Sequence, residues 1–336
     1  MAIPLVSIIT PTYNHARFIR DCIESVLRQT FTDWEQIIID DASSDETCDI
    51  VSEYCKKDSR IKLIKQKHQG IEKLKHTYNK ALKLTQGEFI AILEGDDYWP
   101  SNKLELQLPL FDKKEVVLAW GAAMWVNEEC RPITIAPPEI EKYLSLSRQE
   151  LLNELLLADF IPAVTVIVRK KTLLSIGGFQ QPSYYLALDY PTWLKLTLEG
   201  KFAGVKEVVG YWRRHSSQMS TARQEEILKG AIRLVCDFYT QLPNQVKRKF
   251  DIDLNAIKSF WYSSLATSNI YEGRKKLIRK MWTEARKEFK NAWQLGDIKT
   301  KIKALIGILA SYGHFDLEKL VTLVGKEPIS EKEIWF

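Results

Sequence analysis

Two adjacent carboxylates, Asp96 and Asp97, follow an apolar run of the sequence, Phe89 to Leu93. Neighbouring carboxylates repel each other, and a bound cation commonly offsets that repulsion. Their hard oxygen atoms suit Mg²⁺ or Mn²⁺. An isolated acid pair is more often a solvated turn that also caps a helix. A third carboxylate, Asp41, is expected at the same edge of a predicted β-sheet, and it favours the metal site over the turn.

Asp41 follows a second apolar run, Trp34 to Ile39, and Tyr13 follows a third, Val6 to Thr10. Taken singly, Asp41 is typical of a helix cap and Tyr13 of a half-buried aromatic. In a parallel sheet, however, the carboxyl ends of the strands meet at one edge, where such sheets bind ligands. A carboxylate there can accept the imide N–H of a uracil, and a tyrosine offers its ring face to the base. The pattern therefore predicts a nucleoside site beside the acid pair.

Strand and helix patterns alternate through the first hundred residues, which is the arrangement that such an edge requires. Stretches with apolar residues at helical spacing separate the β-rich runs, and a further run lies at Ile61 to Ile64. Single helices between strands imply right-handed crossovers and a mostly parallel sheet covered on both faces. Ser43 and Glu46 have capping-box spacing and predict the start of one of these helices.

After about residue 116 the alternation loosens. The sequence predicts a strand at Val116 to Trp120, a proline-rich loop at Arg131 to Pro138, and a helix opened by a Ser147 and Glu150 capping box. Beyond about residue 222 only helical patterns remain. We therefore predict two domains, an α/β domain over residues 1–221 and a helical region over residues 222–336.

The composition is that of a soluble globular protein, since 45% of the 336 residues are hydrophobic, 27% are charged and the formal net charge is +5. Disordered and collagen-like classes are excluded. Residues 271–303 hold eleven Lys or Arg against four acidic residues, interleaved with apolar side chains. That pattern predicts either an amphipathic helix lying on a membrane or a packed helix with a basic outer face. No nucleic-acid-reading motif and no membrane-spanning stretch of roughly 20 residues accompanies it, so we expect neither a nucleic-acid partner nor a bilayer crossing.

Several motifs, in order, resemble those of family 2 glycosyltransferases. The stretch VSIITPTYNHARFIRDCIESVLRQTFTDWEQIIIDDASSDET resembles the opening of that family, and GEFIAILEGDDYW resembles its strand ending in a DxD-type motif. RKKTLLSIGGF, Asp189 and YWRRHSSQMS resemble its Gly-Gly-Phe turn, acceptor-site acid and closing Arg-x-His segment. The resemblance covers about residues 5–220. Each motif alone is weak, but the ordered set is specific.

The resemblance implies a GT-A fold, which is a Rossmann-like, mostly parallel sheet flanked by helices, here with a helical C-terminal extension. It also implies a nucleotide-diphosphate sugar donor, a divalent cation (Mn²⁺ or Mg²⁺) and inversion at the anomeric carbon. We expect a UDP-linked sugar as the donor. The matched positions are Pro11, Tyr13 and Asp41 for the nucleoside, Asp96 for the ribose, Asp97 for the metal, Asp189 for the catalytic base, and His215 for the diphosphate or metal.

The expected function is transfer to an acceptor hydroxyl in surface polysaccharide or glycoconjugate synthesis, on a glycan or lipid-linked acceptor. We expect a cytoplasmic enzyme with a peripheral contact, through residues 271–303, at the inner face of the membrane. A dehydrogenase is excluded because the first turn, Pro11 to Asn14, has no GxGxxG motif.

Some positions leave alternatives open. Leu188 stands where the family usually has an acid beside the base, so the chain could instead be a catalytically silent subunit that binds a nucleotide sugar. Asp189 could cap a helix, and Glu94 could serve as the base in its place. Arg213 and Arg214 could form a solvated turn or screen a diphosphate.

Overall fold

The computed structural model describes residues 3–215, 218, 223–248 and 253–318. The chain divides into two compact units, residues 1–214 and 215–336. The predicted boundary between residues 221 and 222 lies outside the described residues.

The first unit opens with strands and helices in strict alternation. The elements are β1 (Val6–Thr12), α1 (Ile19–Leu27), β2 (Trp34–Asp40), α2 (Thr47–Lys57), β3 (Ile61–Lys65), α3 (Leu74–Leu84) and β4 (Phe89–Ile92). Every residue of β1, β2 and β4 is buried, as expected for central strands covered by helices on both faces. The helices bury the residues that recur at helical spacing, among them Cys22 and Val26 in α1.

The rest of the first unit is less regular. It comprises α4 (Lys103–Gln107), β5 (Val116–Val126), β6 (Pro132–Ala136), α5 (Ile140–Leu144), α6 (Arg148–Leu157), β7 (Ile167–Arg169), α7 (Lys170–Ser175), α8 (Asp189–Leu196) and β8 (Lys201–Arg213). The predicted loop over residues 131–138 is wrong, because it contains β6. That strand lies at the end of the sheet and begins with Pro132, and an edge strand tolerates a proline at its first position.

All eight strands form one sheet in the order β3-β2-β1-β4-β7-β5-β6, with β8 paired to β5. The pairs β1–β2, β1–β4, β2–β3 and β5–β8 are parallel, whereas β7 is antiparallel to both of its neighbours. Thr12 pairs with Asp40, and Ile9 pairs with Ile92. Strands β1, β2 and β4 therefore end at the same edge, and the predicted α/β fold with a mostly parallel sheet is confirmed.

Of the two predicted capping boxes, only the second is present. Ser147 accepts a hydrogen bond from the Glu150 amide at the start of α6, and Glu150 accepts one from the Ser147 amide. The Ser43 and Glu46 box is wrong, because α2 begins at Thr47 and has no such cap. The Ser43 hydroxyl instead accepts a hydrogen bond of 2.8 Å from the backbone N–H of Asn14, so it joins the loops that follow β1 and β2.

The described part of the second unit is helical, as predicted. Its helices are α9 (Gln224–Gln241), α10 (Asn244–Lys247), α11 (Leu254–Ile278), α12 (Trp282–Leu295) and α13 (Ile298–Gly313). Phe289 is fully buried, and Cβ atoms at Gly273 or Gly307 would lie within 3 Å of its ring. The two glycines therefore allow α11 and α13 to approach α12 closely. Across the described residues, no helix combines the length and the apolar character needed to cross a bilayer.

The basic segment 271–303 is divided among the end of α11, the whole of α12 and the start of α13. Part of its charge is used inside the unit. Arg274 donates two hydrogen bonds, of 2.8 and 2.7 Å, to the Glu318 carboxylate. Lys276 Nζ lies 2.6 Å from Glu288, and Lys275 has a buried side chain. These cations stabilise the packing of the helices, so the segment is not a single amphipathic surface helix.

Candidate functional site

The carboxyl ends of β1, β2 and β4 are joined by backbone hydrogen bonds. The N–H of Asp41 donates to the Thr12 carbonyl at 2.9 Å, and the N–H of Gly95 donates to the Pro11 carbonyl at 3.1 Å. These bonds place the loop after β2 and the loop after β4 on either side of the β1 end. The structure therefore assembles Pro11, Asp41 and the acid pair along one edge, as the sequence predicts.

Two polar atoms at this edge were not predicted as site atoms. Thr12 Oγ1 and His15 Nδ1 are buried and make no hydrogen bond within the part of the chain that the structure describes. A Cβ at Gly95 would lie 2.7 and 2.8 Å from these two atoms, so only glycine leaves room beside them. Buried polar atoms are nearly always satisfied in proteins, and a ligand or a water molecule here would satisfy this pair.

Three carboxylates cluster after β4. One oxygen of each of Glu94, Asp96 and Asp97 lies within 4.8 Å of the others, and Asp96 and Asp97 are buried. Burial, together with the charges of Asp96 and Glu94, raises the pKa of Asp97 well above its usual range. A divalent cation would relieve both effects, because it replaces lost solvation and neutralises the repulsion. The three side chains therefore fit a Mg²⁺ or Mn²⁺ ion.

Glu94 also contacts a neighbour that the sequence does not reveal. The Tyr78 hydroxyl, from α3, donates a 2.7 Å hydrogen bond to Glu94 Oε1. Burial and the charge of Asp96 raise the pKa of Glu94 to about 7, and Asp189 adds to that rise. Since Glu94 responds to the charges of both Asp96 and Asp189, the structure brings the predicted base toward the acid cluster.

Arg213, at the end of β8, holds the acidic loop in place. Its backbone N–H donates to Asp97 Oδ1 at 2.8 Å, and its Nε donates to the Asp96 carbonyl at 2.9 Å. Its Nη2 also donates to Asp21 Oδ2 at 2.8 Å. The side chain is 2% exposed, so the solvated-turn interpretation is wrong for Arg213. Its guanidinium packs on the protein itself and holds the Asp96 carbonyl, and its backbone N–H holds the Asp97 carboxylate.

Asp41 organises the loop after β3. Its Oδ1 accepts hydrogen bonds from the Gln69 N–H and from Gln66 Nε2, and its Oδ2 accepts one of 2.9 Å from the Gly70 N–H. His68, in the same loop, lies 4.7 Å from the Tyr13 ring between centroids. Asp41 does not cap α2, which begins six residues later at Thr47. It shapes the loop that flanks the exposed Tyr13 ring, where the nucleoside is predicted to bind.

Replacing Asp41 by alanine is expected to weaken binding of a UDP-sugar by about 1–3 kcal/mol, the usual contribution of a charged hydrogen bond. The affinity for Mn²⁺ should stay close to that of the unmodified chain. Isothermal titration calorimetry measures both, with Asp58→Ala as a control that removes a carboxylate paired with Arg60 away from the site. An equal loss of affinity for a sugar phosphate that lacks the nucleoside would contradict a role at the base.

Asp189 is the first residue of α8, and Leu188 precedes it as the N-cap residue. Asp189 Oδ1 accepts a 2.9 Å hydrogen bond from the Tyr190 N–H. Burial raises the pKa of Asp189, which makes its carboxylate a better proton acceptor. Leu188 is 3% exposed and belongs to the core, so it has no part in the chemistry.

Asp159 is a second acid whose pKa responds to the charge of Asp189. It lies in the segment after α6, and solvent reaches its side chain. The surrounding protein and the charge of Asp189 nevertheless raise its pKa well above the usual range. Asp159 was not predicted, because it lies 29 positions before Leu188 in the sequence and no motif surrounds it.

The remaining predicted residues differ in how the structure places them. Pro11 is buried within β1, and Tyr13 is 44% exposed just beyond it. The Arg214 guanidinium lies 4.7 Å from the Trp125 ring centroid. His215 is the first residue of the second compact unit, and its predicted role at the diphosphate or metal stays a prediction.

The raised pKa of Glu94 predicts how stability depends on pH in the metal-free protein. Between pH 4.5 and about 7 the folded state holds a proton on Glu94 that the unfolded state releases, so the free energy of unfolding falls as pH rises through this window. Glu94→Gln removes this fall in the free energy of unfolding, and its amide oxygen can still accept the hydrogen bond from the Tyr78 hydroxyl. We expect the free energy of unfolding of the variant to exceed that of the unmodified chain by about 3 kcal/mol above pH 7 and to match it near pH 4.

Denaturant unfolding in the presence of a chelator measures this difference. Glu207→Gln, which changes an exposed glutamate on β8, is the matched control. Its free energy of unfolding should equal that of the unmodified chain at both pH values. A stability gain in Glu94→Gln of the same size at low and high pH would contradict the assignment of the titration to Glu94.

A protein-family model described as Glycosyl transferase family 2 matches residues 7–173. Among curated proteins, the chain is 31% identical over 220 residues to TuaG of Bacillus subtilis, which is named as a teichuronic acid biosynthesis glycosyltransferase. The match covers 65% of this chain and 82% of TuaG. The chain is also 32% identical over 226 residues to WfgD of Escherichia coli, a UDP-Glc:alpha-D-GlcNAc-diphosphoundecaprenol beta-1,3-glucosyltransferase. That match covers 66% of this chain and 82% of WfgD.

Among solved structures, the chain is similar to the mannosyltransferase PcManGT from Pyrobaculum calidifontis in complex with GDP-Man and Mn²⁺. The TM-score is 0.60, the identity is 16%, and the match covers 96% of this chain and 84% of the other. At this identity the similarity is one of fold.

Proposed function

The chain belongs to glycosyl transferase family 2 and has the GT-A fold of a glycosyltransferase, and we propose that it transfers a sugar with inversion from a UDP-sugar to a hydroxyl of a lipid-linked glycan. The observation that carries the proposal is the convergence of acids at one sheet edge. Glu94, Asp96 and Asp97 cluster there, and Asp189 is close enough to raise the pKa of Glu94. A metal-dependent inverting transfer uses a cation site and a base near each other.

A uridine donor is supported by two observations. WfgD, at 32% identity, is named for UDP-Glc, whereas the GDP-Man complex belongs to a protein of only 16% identity. Asp41, the residue after β2, offers a carboxylate that can accept a uracil imide N–H, and Tyr13 is exposed just beyond β1. The acceptor is proposed from the same relative, whose named acceptor carries a diphosphoundecaprenol group.

The chemistry follows from where the acids lie. An acceptor hydroxyl attacks the anomeric carbon from the face opposite the leaving group, and the Asp189 carboxylate takes its proton as the new C–O bond forms. The bond from the anomeric carbon to the diphosphate breaks, and UDP leaves with that electron pair. A divalent cation held by Asp97 and its acidic neighbours would stabilise the negative charge that develops on the leaving diphosphate. One displacement inverts the anomeric configuration.

Arg213 supports this chemistry without joining it. Arg213 fixes the acidic loop through the Asp97 carboxylate and the Asp96 carbonyl. Arg213 thereby keeps the cation site in position.

A thermal-shift panel of UDP-, GDP- and dTDP-sugars, each with and without Mn²⁺, tests the proposal, because a ligand that binds only the folded state raises the melting temperature. We expect the largest shift for a UDP-sugar with Mn²⁺. A larger shift for a GDP- or dTDP-sugar would contradict the uridine assignment. Binding of a UDP-sugar without release of UDP from any sugar donor would favour the silent subunit.

A further inference from the structure

Helix α13 presents its large apolar side chains outward. Six of them are between 44% and 79% exposed, namely Ile298, Ile302, Leu305, Ile306, Leu309 and Tyr312. At 100° per residue they form one stripe about 120° wide. This is the reverse of an ordinary packed helix, which turns its large apolar residues toward the core.

The opposite face of α13 packs on the unit through small residues. The buried positions are Thr300, Ala304, Gly307, Ala310 and Ser311. Gly307 lies against the Phe289 ring, where even a methyl group would clash. The helix is thus held in place by its small face, so the outward apolar stripe is a fixed feature of the unit.

Positive charge borders the stripe on both sides. On the helical wheel Lys301 lies on one flank, and Lys299 and Lys303 lie on the other. Residues 298–315 contain no Asp or Glu. Lysine side chains beside an apolar stripe can extend their ammonium groups toward lipid phosphates while their stems lie on the hydrocarbon.

From these observations we infer that the α13 stripe is a membrane-binding face that inserts into the interface of a bilayer containing anionic lipids. The inference deepens the proposed function and rests on it, because a lipid-linked acceptor would be reached at the membrane. The sequence expectation spreads the contact over residues 271–303, which include Arg274, Lys275 and Lys276. Those cations lie within the helical packing, whereas the lysines of α13 flank the exposed stripe.

A second copy of the chain is a poorer fit to the stripe. The spacing from Ile298 through Ile302 to Leu305 would also suit a coiled coil, but Lys299 and Lys301 then lie at its flanking positions. In a pair of identical helices the only charged residues at these flanking positions are lysines, and the helix has no acidic residue to pair with them. An anionic surface complements the same lysines.

Co-sedimentation of the full chain with vesicles tests the inference. We expect binding to mixed phosphatidylcholine and phosphatidylglycerol vesicles that weakens as salt rises. Ile302→Ser with Leu309→Ser should weaken it by about tenfold or more, since exposed apolar groups are lost while the packed face is unchanged. The matched control, Leu84→Ser with Leu174→Ser, removes two leucines that are 44% and 52% exposed in the first unit and should bind as the unmodified chain does.

A second arm isolates the charge. Replacing Lys299, Lys301 and Lys303 by glutamine keeps the apolar stripe and should weaken binding to the mixed vesicles roughly a hundredfold, with little change on pure phosphatidylcholine. Unweakened binding in both sets of variants would overturn the inference. So would an unmodified chain that binds neither vesicle, or a dimer in sedimentation velocity that Ile302→Ser with Leu309→Ser converts to a monomer.

Donor hydrolysis without vesicles separates this inference from the proposed function. All variants should release UDP at the rate of the unmodified chain, since none alters a residue of the acidic site. Vesicle binding without any UDP release would contradict the proposed function and leave the membrane face standing. UDP release without vesicle binding would overturn the membrane face alone.

Discussion

Replacing Asp189 by asparagine is expected to lower kcat by on the order of 10²–10⁴-fold, the usual cost of removing a general base. The amide keeps the size of the side chain and an oxygen that can accept the hydrogen bond from the Tyr190 N–H. It cannot take the proton of an acceptor hydroxyl. Affinity for the UDP-sugar should therefore change little. Initial rates at saturating donor and Mn²⁺, together with calorimetry of donor binding, measure the two quantities separately.

Two further variants test this assignment against its neighbours. Asp159→Asn should cause a much smaller loss and leave the acidic limb of the pH–rate profile in place, because burial and not Asp159 raises the pKa of Asp189. Glu94→Gln, assayed at saturating Mn²⁺, should retain more activity than Asp189→Asn. Wild-type transfer by Asp189→Asn would overturn the assignment, and a large loss in Glu94→Gln alone would make Glu94 the base.

Replacing Asp97 by asparagine is expected to abolish metal-dependent donor binding. The variant loses a negatively charged ligand from a cluster whose oxygens lie within 4.8 Å of one another. An amide oxygen at the same place can still accept the hydrogen bond from the Arg213 N–H. Because one of three repelling charges is removed, the metal-free variant should be at least as stable as the unmodified chain.

Calorimetry of UDP binding with and without Mn²⁺ measures the effect of Asp97→Asn. The increase in UDP affinity that Mn²⁺ confers on the unmodified chain should disappear. Asp112→Asn, which changes an exposed aspartate away from the sheet edge, is the control and should keep the increase. Unchanged affinity for the metal–nucleotide complex in Asp97→Asn would show that Asp97 is not a metal ligand.

The parts of the site that the sequence predicts are those fixed by local rules. Apolar runs followed by helical spacing predict strands whose carboxyl ends meet, and this alone places Pro11, Asp41 and the acid pair together. The acidic residues are visible because they directly follow those runs. The one clear error in the sheet, β6, arose because prolines at both ends of a short strand resemble a loop, yet an edge strand accepts them.

The parts that the sequence does not reveal depend on contacts between distant segments. The Arg213 N–H meets Asp97 across 116 residues of sequence, because β8 pairs with β5 beside the acidic loop. Asp159, whose pKa responds to Asp189, lies in a segment without regular structure. Both arrangements depend on how distant segments are brought together, which the pattern of neighbouring residues does not record. The sequence also does not reveal the outward stripe of α13, because periodicity identifies an apolar face but not the direction in which that face points.

The stereochemistry of donor hydrolysis tests the central claim most directly. Proton NMR can follow the unmodified chain with α-linked UDP-glucose and Mn²⁺, in the absence of an acceptor, before the released sugar equilibrates. A single displacement with water in place of the acceptor predicts that UDP is released and that β-glucose appears first. First appearance of α-glucose would contradict inversion, and no release of UDP from this or any other UDP-sugar would contradict the transferase itself.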